Sequence, residues 1–367
     1  MNPRVESKSI TEEGNTLKFT LSNINVSLAN ALRRTIISDV PTIVFKTTPY
    51  EENKANIITN TSRFNNEIIK QRLGCIPIHI TDLKMPLNNY LMEVKVENST
   101  DTMRFVTTED FKIKNITTDE YLSEKDTQNI FPPCNTTGYY IDFLRLRPRI
   151  SDEIPGEAIH LTCEFSISNA KENGMYNVVS TCSYGCTTDD VEMEIKLGKK
   201  MNEWKNQGLK PNEIKFEADN WKLLDGLRII KNDSFDFIIE SIGVFSNQDI
   251  IKMSCDIIIE KLQKISNNIE YAKIETSENT MDNCYDFILQ NEDYTIGKII
   301  EFILYNKYFE ESPILSYCGF KKMHPHDVDS IIRVAYKEPT EKSAIQGHII
   351  NSIEIAINIF TKIKKNI

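Results

Sequence analysis

Val26-Ser27-Leu28-Ala29-Asn30-Ala31-Leu32, near the start of the chain, and Tyr294-Thr295-Ile296-Gly297-Lys298-Ile299-Ile300, near its end, carry one pattern. Each places a hydroxyl cap (Ser27 or Thr295), then a large apolar residue and a small one, directly behind a strand-like run. Each then enters a helix. Residues 16–24 alternate apolar and polar ahead of the first copy, as a half-buried strand does. The helix that follows is predicted over 27–38, capped by Asn25 or Ser27, with Leu28, Leu32 and Ile36 on one stripe. Pro41 forbids its continuation. In the second copy the helix is predicted over 295–307, with Ile296, Ile299 and Ile300 turned inward. The small residue, Ala29 or Gly297, permits close backbone approach at the helix start.

Each copy closes with a long Ile-rich helix. The first is predicted over 247–265, where Ser246 and Asp249 form a capping-box-like start. Its apolar face is Ile250, Ile257, Ile258, Leu262 and Ile265. The second, over 340–365, is striped by Ile345, Ile349, Ile353, Ala356, Phe360 and Ile363. Lys362, Lys364 and Lys365 lie in its last turn, where the helix dipole favours cations. These stripes are wide enough to need a partner, and two similar units in one polypeptide bury them against each other across a pseudo-two-fold axis. At about 25 cal/mol per Å² of apolar surface, such an interface contributes many kcal/mol.

From cap to closing helix the first copy takes about 220 residues and the second about 45, so the difference is inserted material. From 43 to about 171 the chain is punctuated by Pro77, Pro86, Pro132, Pro133, Pro148 and Pro155. Alternating runs at 91–96 and 159–165 make this stretch a mostly β module. Further strands are predicted at 176–182, 234–242, 269–276, 284–291, 315–322 and 329–336. The polar stretch Ser266-Asn267-Asn268 is the best boundary. The predicted class is α+β.

Composition narrows the function. With 367 residues, 40% hydrophobic and 26% charged, the chain has room for two or three modest cores. No run of about 18 uncharged apolar residues occurs, and Met1 to Asn15 is polar and unlike a secretory signal, so an intracellular chain with no membrane span is expected. A formal net charge of −10 argues against a protein that grips DNA by itself. The abundance of Ile, Asn and Lys suggests an AT-rich genome.

The eight cysteines, at 75, 134, 163, 182, 186, 255, 284 and 318, read as scattered reduced thiols. Cys182 and Cys186 form one close pair, which Cys163 or Cys134 would have to join through the fold. Structural zinc takes two close pairs, so neither metal nor cofactor is expected. His324-Pro325-His326-Asp327 reads as a turn between strands. The chain has no P-loop, no Gly-Xaa-Ser-Xaa-Gly elbow and no Asp-rich magnesium loop. No catalytic residue is expected.

The run Asn25 to Ser38 closely resembles the first helix of the alpha-like subunits of cellular RNA polymerases: the bacterial alpha N-terminal domain, the archaeal D-type chain and the third subunit of polymerase II. Gln71-Arg72-Leu73-Gly74-Cys75-Ile76-Pro77-Ile78 resembles the family's Arg-Leu-Gly-apolar-Ile-Pro segment. Gly156 to Cys182 resembles the return from its inserted domain, and Phe235 to Gly243 the strand before its dimerisation helix. The last hundred residues resemble the archaeal L-type chain, or the eleventh subunit of polymerase II, through Asp293 to Lys298 and Gly319 to His326. Residues 100–150 and 187–233 match least clearly.

The resemblance implies a non-catalytic subunit of DNA-directed RNA polymerase that serves as assembly platform for the two largest subunits. A D-like dimerisation domain would take residues 1–43 and 176–265, an insertion domain 44–175 and an L-like dimerisation domain 268–367. The paired stripes become the dimerisation contact. Asn30, Arg33 and Arg34, with Arg72, Leu73 and Gly74, stand at the docking place of the second-largest, beta-like subunit. Guanidinium forks suit a partner's carboxylates or carbonyls; the alternative for Arg33 and Arg34 is a solvated or intrachain salt bridge, worth little if exposed. The largest, beta-prime-like subunit and small subunits are further expected partners, with DNA met only through the complex. Fused D-plus-L chains are what large DNA viruses of eukaryotes carry, which implies a host cytoplasm, host nucleus or virion location. Two other classes stay open: a free-standing adaptor or regulatory protein of this fold, and a small metal-dependent nucleic-acid enzyme.

Overall fold

The computed structural model describes residues 2–5, 11–151, 153–269, 273–277 and 281–367. In chain order, strands β1 (Arg4–Val5), β2 (Thr11–Glu13) and β3 (Thr16–Ser22) lead into helix α1 (Val26–Ser38). There follow β4 (Thr42–Phe45), β5 (Ala55–Asn60), helix α2 (Asn66–Gly74), β6 (Tyr90–Glu97), β7 (Arg104–Thr107), β8 (Lys112–Asn115) and β9 (Glu120–Tyr121). Helix α3 (Glu124–Ile130), β10 (Asp142–Leu146), β11 (Ala158–Ser168) and β12 (Val179–Thr188) come next. Helices α4 (Asp190–Asn206) and α5 (Pro211–Leu223) precede β13 (Ile230–Ser241) and α6 (Asn247–Asn267). The chain continues through β14 (Ile274–Thr276), β15 (Cys284–Leu289) and α7 (Tyr294–Leu304), which runs into a π-helical turn (Tyr305–Glu311). It ends with β16 (Leu315–Lys321), β17 (Ser330–Tyr336) and α8 (Lys342–Asn366). The class is α+β, as the periodicities predict.

Two compact units form. One holds Met1–Ile36, Thr181–Glu240 and Ile251–Ile367; the other holds Ile37–Ser180 and Ser241–Ile250. The first unit contains two sheets of one topology. In one the order is β1-β3-β13-β12, with β2 also on β3, and in the other it is β14-β15-β17-β16. In both, a helix follows the second strand of the order (α1 or α7), and a long helix follows the third (α6 or α8). The repeat therefore extends to details that the apolar pattern alone does not disclose. Asn23 and Asn291, each three residues ahead of its helix, both take a positive φ of 57°. Asparagine tolerates that left-handed turn because its short amide bonds locally.

The sequence assigns the two helix starts to Ser27 or Thr295 hydroxyls, with Asn25 as an alternative in the first. The structure corrects the second. Asn25 Oδ1 accepts from Ser27 N at 2.9 Å, and Asp293 Oδ1 accepts from Thr295 N at 2.8 Å. An amide or carboxylate, two residues ahead of the hydroxyl, satisfies the free helix N–H in both. Ser246 caps α6 as expected, its Oγ accepting from Asp249 N at 3.1 Å.

Residues 187–233 give little to a reading of the sequence. They fold largely as the helical hairpin α4–α5, with Asp189 accepting from Glu192 N and Pro211 at the first turn of α5. Its inward face is thin, only Leu197, Ile214 and Ala218 being buried within the two helices. That is why no strong period marks it. The strand expected at 176–182 is shifted to Val179–Thr188. Of the strand expected over 269–276, residues 274–276 form β14, while 270–272 lie outside the described residues, as do 1 and 6–10 of the polar N-terminal stretch.

The second unit is the expected β module plus two helices, α2 and α3, that its punctuation concealed. Its main sheet runs β4-β11-β6-β8-β9, with β5 also on β11, and β7 and β10 form a separate pair. Strand β11 pairs antiparallel with both β6 and β4, Leu161 facing Val94 and Phe165 facing Phe45. Phe45, Phe111, Phe131, Phe143 and Phe165 fill its core, Phe111 meeting Phe143 edge-on at 5.4 Å.

In the first unit, His348 of α8 sits against the rings of Tyr308 and Tyr336, with Nδ1 3.0 Å from the Tyr336 hydroxyl. Burial, helped by Lys307, holds its pKa below the ordinary value of 6.5. The unfolded chain therefore binds more protons at this site in the acid range, and the site's contribution is complete above 6.5 and lost as pH falls from there through the lower folded value. Thermal melts from about pH 7.5 to 5 are expected to show a steeper fall for the wild type than for His348→Gln. Equal slopes would assign the acid sensitivity to other groups. Among the described residues no helix is long and apolar enough to cross a membrane.

Candidate functional site

On α1 the stripe Leu28, Leu32 and Ile36 is completely buried, together with Ala29 and Ala31. On α7, Ile296, Ile299 and Ile300 are equally buried. On α8, Ile345, Ile349, Ile353, Ala356, Phe360 and Ile363 are buried, and α8 packs on α7. Each such Leu, Ile or Phe side chain contributes about 1.5–3 kcal/mol over an exposed one. The α6 stripe needs a rotation. Ile250, Ile258 and Leu262 are buried as expected, with Ile251 and Cys255 beside them, whereas Ile257 and Ile265 lie on its flank, half-buried.

Polar contacts tie the two repeats within the first unit. Lys364 Nζ, in the last turn of α8, donates to both carboxylate oxygens of Asp256 on α6 at 2.7 Å. Near the other end of α8, Gln346 Nε2 donates to the Ile269 carbonyl at 3.1 Å. The two closing helices thus run antiparallel. Arg34, on α1, donates from Nε to Thr295 Oγ1 at 2.9 Å and from Nη2 to Asp293 Oδ2 at 3.0 Å. The neighbouring residue behaves differently. Arg33 directs Nε and Nη2 to Asn30 Oδ1 at 3.1 and 2.9 Å, beside Cys182 and Tyr184. A turn of about 100° per residue separates them: Arg34 reaches the second repeat, while Arg33 pairs with no carboxylate among the described residues. Burial, opposed by Arg33, still pushes the Cys182 thiol up to about 12.

The Arg72 segment belongs to the second unit. Arg72 Nε and Nη2 donate to the carbonyls of Phe143 and Asp142, both at 2.7 Å, and its guanidinium lies over Phe64. Leu73 is buried in the core. Gly74 ends α2 where a Cβ would meet Met175 Sδ at 2.5 Å and Thr47 Oγ1 at 3.2 Å. Neither Leu73 nor Gly74 presents a side chain to solvent. Arg72, Leu73 and Gly74 therefore hold the segment 72–78 in place, and beside it lies a cavity of about 200 Å³ lined by Ile76, Ile78, Met175 and Ile242.

His324, His326 and Asp327 form the expected turn between β16 and β17. Asp327 Oδ2 accepts from His324 N at 2.9 Å. Cys182 is buried and Cys186 exposed, each with a free thiol. Among the described residues no three His, Cys, Asp or Glu side chains converge as metal ligands would. Asp256 and Asp293 are not legible as ion partners in the sequence, because partners so distant in the chain leave no periodic signal. Nor are the exposed apolar residues of the hairpin region: Val191, Phe216, Leu223, Leu224 and Leu227.

The sequence is similar to those of known proteins. The RNA polymerase Rpb3/Rpb11 dimerisation domain family matches residues 18–262. The chain is 26% identical over 301 residues to the DNA-directed RNA polymerases I and III subunit rpac1 of Dictyostelium discoideum, spanning 71% of this chain and 80% of that protein. It is 22% identical over 277 residues to DNA-directed RNA polymerase subunit Rpo3 of Pyrococcus horikoshii, spanning 72% of this chain and 98% of that protein. A 118-residue stretch is 30% identical to the conjugation stage-specific protein of Tetrahymena thermophila, spanning 28% of this chain and 35% of that protein. With two repeated strand–helix units joined in one core and a β insertion, the chain belongs to the RNA polymerase Rpb3/Rpb11 dimerisation family and is an alpha-like, non-catalytic assembly subunit of DNA-directed RNA polymerase.

Proposed function

We propose that this chain carries both halves of the alpha-like dimer, the D-like dimerisation domain (1–43 and 176–265, interrupted by an insertion domain at 44–175) and the L-like one (268–367). The observation that carries this reading is the repeated topology β3–α1, β13–α6 and β15–α7, β17–α8 within one compact unit. The joined halves form a platform that recruits the beta-like subunit, then the beta-prime-like one, with small subunits attached to its faces. Joining them makes their association intramolecular, at an effective concentration of about millimolar or higher. Assembly then no longer depends on matching the levels of two separate chains. DNA is met only through the complex. The fused arrangement resembles that of large DNA viruses of eukaryotes, so the proposed place of action is intracellular, in a host cell's cytoplasmic viral factory or nucleus, or in a virion.

Affinity purification from the native source tests the reading. Recovery of the two largest polymerase subunits supports it. Their absence, with a single different protein recovered instead, would favour the free-standing adaptor.

The arginines are separable. Arg33 is half-buried with capacity beyond Asn30, which supports a contact with a carboxylate of the beta-like subunit; Asn30 would orient it. Arg33→Ala is expected to leave the fold intact and weaken capture of that subunit by about tenfold, the value of a lost charged hydrogen bond. Arg34→Ala should instead act on the pairing of the two halves. Equal capture by Arg33→Ala and wild type in a pull-down with the beta-like subunit would remove Arg33 from the contact.

A further inference from the structure

We infer that Arg34 and Asp293 are the specificity pair that makes the N-terminal repeat choose the C-terminal repeat rather than a second copy of itself. The two repeats are alike enough to compete. Their helices start on the same turn, with Asn23 and Asn291 in the same left-handed conformation and the same cap-to-amide bond behind them. Their inward faces are interchangeable in chemistry: Leu28, Leu32 and Ile36 stand where Ile296, Ile300 and Leu304 stand, and all are buried. Apolar burial does not discriminate between such faces, because it is nondirectional. Discrimination has to come from a group that differs between them.

The cap position is that group. It is Asn25 in the first repeat and Asp293 in the second. The structure shows what the difference does: Arg34 donates to Asp293 Oδ2 while its Nε donates to Thr295 Oγ1. Two N-terminal repeats facing each other would present Arg34 with Asn25, an amide that caps equally well and carries no charge. Two C-terminal repeats would present Asp293 with Phe302, the residue that stands at the Arg34 position of the second helix. Only the mixed pairing joins guanidinium to carboxylate. Both residues are partly exposed, so the pair acts as a selector of modest strength, about two- to fivefold per contact, the range of exposed ion pairs.

The test uses the full chain and reads the fraction of dimer by light scattering after refolding at high protein concentration. Asp293→Asn keeps the cap, as Asn25 demonstrates in the other repeat, and removes the charge; it should raise the dimer fraction about two- to fivefold. Asp293→Arg places like charges together and should raise it further, whereas the exchange Arg34→Asp with Asp293→Arg should return it to near wild type. Asp293→Ala serves as control, losing the cap without adding repulsion, and should stay below Asp293→Arg. High salt should raise the wild-type dimer fraction toward that of Asp293→Asn. Dimer fractions unchanged by Asp293→Arg, or not restored by the exchange, would overturn the inference. The result does not depend on which polymerase subunits bind the platform.

Discussion

Phe360→Ala is expected to destabilise the first unit by about 3–5 kcal/mol, the range for deleting a completely buried aromatic side chain. Phe360 has no exposure on α8, and Ile353, Ala356 and Ile363 around it are buried as well. The cavity left behind cannot refill without moving a helix packed along much of its length. In a unit of this size each kcal/mol moves the melting temperature by about 2–4 °C, so a fall of about 10 °C is expected. The location of the two tryptophans makes the experiment informative. Trp204 and Trp221 lie on α4 and α5, in the N-terminal repeat's part of the chain. If both repeats share one cooperative core, tryptophan fluorescence should report the lowered transition. A tryptophan signal melting at the wild-type temperature while far-ultraviolet circular dichroism melts earlier would show that the repeats unfold separately.

Gly156→Ala should be the most damaging small change in the second unit, costing about 3 kcal/mol through overpacking. A Cβ at this position would lie 1.8 Å from the Asn98 carbonyl oxygen and 3.3 Å from Arg149 N. The clash is with backbone, which cannot turn aside as a side chain does. Nor can Asn98 give way easily. It is completely buried, its Nδ2 donates to the carbonyls of Thr102 and Leu146, both at 2.9 Å, and its own N–H donates to the Glu157 carbonyl at 3.0 Å. Limited proteolysis is the suitable probe, since both tryptophans lie outside this unit. Cleavage within 37–180 should become several-fold faster than in wild type. An unchanged digestion pattern would mean that the loop before β11 relocates at little cost.

Where a side chain's role depends on near neighbours in the chain, the sequence is legible. The stripes of α1, α7 and α8 and the strands containing 91–96 and 159–165 repeat at 3.6 or 2 residues, and the Ser246 cap lies three residues from Asp249, so these signals are written locally. Where a role depends on a residue far along the chain, periodicity is silent. Asp293 looks like a neighbour of the cap, yet it is both the cap and the carboxylate that meets Arg34. Arg72 looks like a partner contact, yet its donors close on two carbonyls of β10. The α4–α5 hairpin escapes notice because helices with so little buried face leave a weak apolar period.

What the sequence by itself determined is the inventory: two strand–helix units with matching helix starts, two long closing helices and a β insertion. What only the tertiary structure decided is the pairing. It turned Arg34 toward Asp293 and left Arg33 beside β12, brought Lys364 to Asp256, and put both repeats into one compact unit. The reason is that hydrophobic periodicity specifies which face of an element is buried, through a force that is indifferent to the partner's identity. Charge and hydrogen bonding specify the partner, and they act between atoms that only the folded chain brings within about 3 Å.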